Sequence, residues 1–174
     1  MTRSWLAILV LTLGVLFLGT SLGCSTIYHD ARDELPPDGR DRVSLRLKQA
    51  KQAASEALDE VQGVAADLSA SPPILTRPEA GGVVESFGWE LARRIDSIKD
   101  AVGKTGVKEP QVTEAVDRLD RAVRRMDASA KALNHELPEG VGSLADSREA
   151  LEAGIASVDV AVKVLRDQQA RPGT

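Results

Sequence analysis

The stretch that decides the fold is PQVTEAVDRLDRAVRRMDASAKALNHEL, residues 110–137. Within it Val112, Val116, Leu119, Val123, Met126, Ala130, Leu133 and Leu137 follow one another at spacings of 4, 3, 4, 3, 4, 3 and 4. That is the heptad period of a helix that buries one stripe against its neighbours. Pro110 suits the first helical position, where its missing N–H costs nothing, and Pro138 closes the end. Glu114–Arg118, Asp117–Arg121 and Asp120–Arg124 are acid-before-base pairs four residues apart. Each stabilises an exposed helix by roughly 0.2–0.5 kcal/mol and marks the outward face. The same interleaving of acids makes Arg121, Arg124 and Arg125 a solvated surface rather than an anion site.

Upstream, Val43, Leu47, Ala50, Ala54, Ala57, Val61, Val64 and Leu68 repeat the same spacing. Leu58 and Ala65 widen the stripe, which suits a bundle better than an isolated two-stranded coil. Asp38 is the expected N-cap and Pro72-Pro73 the stop. A second segment runs from about Arg77 to Val102, with Val84, Gly88, Leu91, Ile95, Ile98 and Val102 as its seam and Phe87 beside it. Thr76-Arg77-Pro78-Glu79 has capping-box spacing, and Gly103 is the expected terminator.

Downstream, a fourth segment is expected to begin near Ser143, where Ser143-Leu144-Ala145-Asp146 resembles a capping box. Its seam reads Val141, Leu144, Arg148, Leu151, Ile155, Val158, Val162 and Leu165, with Arg148 as a charged intruder. Val160 and Val164 fall off this seam and form a second apolar face, a candidate partner surface. Residues 158–164 also alternate as a strand does, but the flanking period is helical. The connections, about 71–76, 103–109 and 138–142, are short enough to join antiparallel neighbours. The expected fold is therefore all-α: an antiparallel four-helix bundle, or paired long helical hairpins, over residues 38–170, with 171–174 as a tail.

The N-terminus is of another kind. Arg3 is the only charge ahead of the apolar run WLAILVLTLGVLFLG, Trp5 to Gly19. Small and polar residues follow, then Cys24, the single cysteine of the 174-residue chain. A basic start, an apolar centre and small residues before a cut site define an export signal. Ser21-Leu22-Gly23-Cys24 resembles the lipobox of bacterial lipoproteins, although Ser21 stands where that box usually has leucine. The resemblance implies a signal peptide over 1–23 and lipid on Cys24, which becomes the mature N-terminus. Ser25 in place of aspartate favours, by the same resemblance, the outer membrane facing the periplasm. Two other readings of these residues stay open. Ser21-x-Gly23 also suits an ordinary signal peptidase, and Trp5 to Cys24 has the length of an uncleaved inner-membrane anchor. Residues 24–37, including Tyr28 and His29 and ending in Pro36-Pro37, read as a tether. Extended, it reaches on the order of 40 Å.

Composition narrows function by exclusion. Removing Arg3 takes the net charge from −4 to −5, which gives no electrostatic reason to bind nucleic acid. One cysteine permits no internal disulfide. His29 and His135 belong to different segments, and no spacing matches a metal site, so no metal and no cofactor are expected. Gly103-Lys104-Thr105 lacks the upstream glycine of a phosphate loop. The expected protein is a non-enzymatic envelope lipoprotein whose helical body is a structural or interaction module. Its expected partners are the membrane, through Cys24, and a second copy or another envelope protein. A carrier of a lipid or other apolar ligand between the helices, and a sensory module acting through a partner, are the two alternatives.

Overall fold

The structure, a computed structural model, describes residues 39–170. Four helices fill that span: α1 (Gly39–Ser69), α2 (Arg77–Thr105), α3 (Pro110–Asn134) and α4 (Gly140–Gln169). Among the described residues there is no strand. Each helix packs against two others, α1 on α2 and α4, and α3 on α2 and α4. The start of α1 meets the end of α2, where Gly39 lies against Thr105, and the end of α4, where Gln169 Nε2 donates to Asp41 Oδ1 at 2.5 Å. The arrangement is an antiparallel up-down-up-down bundle, in which the hairpins α1–α2 and α3–α4 pack side by side.

The core is a set of stripes from all four helices. Val43, Leu47, Ala50, Ala54, Ala57, Val61 and Val64 of α1 are buried as their spacing requires, and Leu68 is half-buried at the end. In α2, Val84, Gly88, Leu91, Ile95 and Ile98 face inward, while Ala101 rather than Val102 completes the seam. Burying each Leu, Ile or Val side chain contributes about 1.5–3 kcal/mol, so the few large residues carry most of the apolar term.

The ends of the helices follow local chemistry. Thr76 caps α2 with a full capping box: Glu79 N–H donates to Thr76 Oγ1, and the Glu79 carboxylate accepts from Thr76 N–H at 2.9 Å. The Thr76 hydrogen bonds, from side chain and then backbone, hold the Glu79 carboxyl below its ordinary value. Gly103 does not stop α2. The helix runs on to Thr105 and ends at Gly106, whose φ of 69° gives the left-handed turn that glycine adopts without strain. Asp38, the expected cap of α1, lies outside the described residues.

The fourth helix corrects the sequence reading in two ways. It starts at Gly140, not near Ser143, and Ser143 Oγ donates back to the Gly140 carbonyl at 2.8 Å rather than capping. Its buried stripe is Gly140, Leu144, Ser147, Leu151, Gly154, Val158, Ala161 and Leu165. Arg148 is not in the core: its side chain is 55% exposed, with Glu152 Oε1 at 3.7 Å. Ile155 and Val162 are half-buried flanks. The register is set by small residues that let α3 come close. A Cβ on Gly154 would stand 2.9 Å from Leu119 Cδ2, and one on Gly140 would stand 3.2 Å from the Ala132 backbone. The same selection operates on α3, where Ala115, Ala122 and Ser129 are buried and Val123 is a half-buried flank.

Candidate functional site

One polar feature lies inside the bundle. Ser129 of α3 and Ser147 of α4 are fully buried, their hydroxyl oxygens 2.9 Å apart, and Ser129 Oγ also donates to the Ser143 carbonyl at 2.8 Å. A buried hydroxyl must find a partner or cost free energy. Here the two satisfy each other, so the pair fixes α3 against α4 and is spent on structure. Among the described residues neither hydroxyl hydrogen-bonds to an acidic or basic side chain.

The ends of the bundle differ. At one end Gly39, the 106–109 turn and the end of α4 converge around an open groove of about 700 Å³. Glu109, its side chain 10% exposed, accepts there from Arg40 Nε at 3.3 Å. The chain upstream of Gly39 enters at this end.

The opposite end is built from the 70–76 and 135–139 turns. The second of these is a Schellman turn: Leu137 N–H donates to the Ala132 carbonyl at 2.8 Å and Glu136 N–H to that of Leu133 at 2.9 Å. Glu136 takes the left-handed conformation, φ 53°, where glycine is usual. α3 therefore ends at Asn134 and not at Leu137. Arg77 Nη1 ties the two turns together by donating to the carbonyls of Glu136 and Leu137 at 3.1 and 3.3 Å. Ile74 is 71% exposed and Leu137 41% exposed, beside an open groove lined by Leu68, Pro73, Leu75 and Val141. This apolar tip is not legible in the sequence: Ile74 sits in a turn where period carries no information, and Leu137 continues the heptad of α3 although the helix has already ended at Asn134.

Two helix faces carry further exposed apolar residues. Val160 of α4 is 55% exposed and Val164 half-buried, so the pair lies partly open on the outer side of that helix. Trp89 of α2 is 70% exposed above a groove between α2 and α3. Arg118, Arg121, Arg124 and Arg125 line another open groove between α3 and α4, together with Asp146 and Glu149. Arg118 pairs there with Glu114 at 2.7 Å, and Arg125 with Asp146 at 3.7 Å.

Among the described residues no group of three or more His, Cys, Asp or Glu is placed to hold a metal ion. No described helix is long and apolar enough to cross a membrane. Cys24, the expected lipid site, and the whole 1–37 signal and tether lie outside the described residues. No family model, no curated protein and no solved structure matches the chain.

Proposed function

We propose that this protein is a non-enzymatic envelope lipoprotein, anchored through lipid on Cys24, whose helical body is an interaction module. The observation that carries the reading is the polarity of the bundle. The tether joins at the Gly39 end, while the apolar tip with Ile74 and Leu137 is at the other. α1 has 31 residues, so the two ends are separated by about 46 Å. Exposed apolar residues far from an anchor suit contact with another protein better than contact with the anchoring membrane. The carrier alternative is disfavoured by the seams, where glycine and alanine bring helices together instead of leaving room between them.

Two measurements test the proposal. Radiolabelled fatty acid enters the wild type and fails to enter Cys24→Ala; equal labelling of both removes the anchor. The membrane-bound protein is then cross-linked and its partners identified by mass spectrometry. Ile74→Asp with Leu137→Lys abolishes capture if the tip is used, and Val160→Lys with Val164→Glu abolishes it if the α4 face is used. Capture that survives both pairs of substitutions overturns the interaction reading of these surfaces.

A further inference from the structure

Trp89 lies on a different face from both surfaces above. It rims a groove of about 290 Å³ between α2 and α3 whose other walls are Glu85, Gly88, Ala92, Val123, Arg124 and Asp127. Gly88 lies against Met126 of α3, two residues after Arg124 and one before Asp127, so the tryptophan and the groove stand at the same height along the bundle. Gly88 and Ala92 are the smallest residues of the wall, and they leave the hollow that a flat side chain fills.

The charges of the rim are unequally satisfied. Asp127 accepts from Lys131 Nζ at 2.7 Å, a bond that raises the Lys131 ammonium above its ordinary value with a further contribution from Glu85. Arg124 instead donates through Nε to the backbone carbonyl of Asp120 at 3.4 Å and makes no salt bridge within 4.0 Å among the described residues, although Glu85 and Asp127 line the same groove. One face thus holds an exposed indole and a guanidinium not engaged in a salt bridge, which together make a cation–π pair when brought face to face.

We propose that this face binds a second copy of the chain, with Trp89 of each protomer seated in the partner's α2–α3 groove against Arg124. Knob, hollow and cation share one patch at one height. A two-fold axis parallel to the bundle therefore brings each knob to the other's hollow, the self-complementarity that a symmetric dimer requires. Such an axis also leaves both Gly39 ends on the same side, so the pairing agrees with a membrane anchor without depending on one. An aromatic side chain buries about 150–250 Å², so two of them with the adjoining helix surfaces make a small, reversible interface.

The experiment uses the full-length chain in a non-ionic detergent, with Trp5→Phe so that Trp89 is the sole tryptophan. Sedimentation is expected to show a monomer–dimer equilibrium, and Trp89 emission to move to shorter wavelength as the dimer forms. Trp89→Ala is expected to weaken dimerisation at least about tenfold with unchanged helicity, and Arg124→Ala by about two- to fivefold. The N-terminal segment is common to all these chains, so a difference between them belongs to the Trp89 face. A monomer at every concentration overturns the proposal, and so does a dimer equally tight in Trp89→Ala. A monomer whose emission shifts only on adding lipid vesicles or cell-wall glycan fragments also overturns it and assigns the face to that occupant.

Discussion

α1 and α4 are nearly the same length, and both repeat a heptad stripe, but they pack by different means. The α1 stripe is Val43, Leu47, Ala50, Ala54, Ala57, Val61 and Val64, apolar at every step, and its buried face is the one that hydrophobicity predicts. The α4 stripe alternates: Leu144, Leu151, Val158 and Leu165 are separated by Ser147, Gly154 and Ala161. Here the helix is held as much by what its side chains leave out as by what they bury. Small residues let α3 approach, and close approach gains contact along the whole length of both helices. A stripe built from apolar mass is visible in a sequence. A stripe built from absence of mass is not, and reading by hydrophobicity moves the seam one residue along, to Arg148, Ile155 and Val162.

The largest expected effect lies where the two modes meet. Leu119 of α3 is fully buried, and its Cδ2 fills the space left by Gly154. Leu119→Asp places a charge in the core with no partner and is expected to cost roughly 4–5 kcal/mol, read as a collapse of the urea midpoint. A stable, helical Leu119→Asp would mean that α3 is not central to the bundle. Gly154→Leu comes next, at about 3 kcal/mol, because the added side chain overlaps Leu119 and forces the helices apart. The same substitution at Gly63, where a Cβ meets nothing within 4 Å, is expected to stabilise or to leave the protein unchanged. If the two glycines respond alike, the contrast between apolar mass and close approach is wrong.

A smaller effect sharpens the α3–α4 contact. Ser147→Ala loses the hydrogen bond to Ser129 and is expected to cost about 1 kcal/mol, and Ser129→Ala, which also loses the bond to the Ser143 carbonyl, about 2 kcal/mol. The double variant should cost less than the two added together, because each single change leaves the other hydroxyl with one partner fewer. Strict additivity would show that the hydroxyls do not act as a pair. The smallest effect is at the start of α2. The Glu79 carboxyl is held below the ordinary value of 4.5 that it has when unfolded. The folded state therefore gains from its ionised form at all pH above about 4.5, and loses that gain as pH falls through the lower folded value. Glu79→Gln should flatten this acid limb of the stability curve while leaving stability near neutral pH slightly reduced. A limb of unchanged slope would separate the capping box from acid sensitivity.

The fold class, the helix count and the Thr76 cap were legible, because they rest on period and on proline, threonine and glutamate at fixed offsets. The end of α2 was misplaced by three residues. Gly103 and Gly106 are alike in composition, and only the backbone path shows which one turns left-handed. The end of α3 was overrun for a related reason: Leu137 continues the heptad in sequence, but Glu136 has already left the helix. Val160 and Val164 were recognised as lying off the seam, and the structure finds one exposed and the other half-buried. The sequence does not mark Trp89 and Ile74 as surfaces, and it places Leu137 in the core seam of α3, whereas all three are exposed. An exposed apolar residue is distinguished from a core residue by its neighbours across a groove or turn, and these are remote in sequence.

The hydrogen bond from Gln169 to Asp41 joins residues 128 apart in the chain, so the seam between α1 and α4 is the one whose partners must find each other over the greatest length. A circular permutant would move that burden elsewhere. A short linker from 170 to 39, with the chain opened in the 70–76 turn, makes α4 and α1 consecutive and turns their contact into a local hairpin. The α1–α2 contact then becomes the distant one. Loop closure grows more costly with length, and folding slows with the mean sequence separation of contacts. The native order of the helices is thus one of several circular orders that preserve every interface, and they differ in which seam closes last.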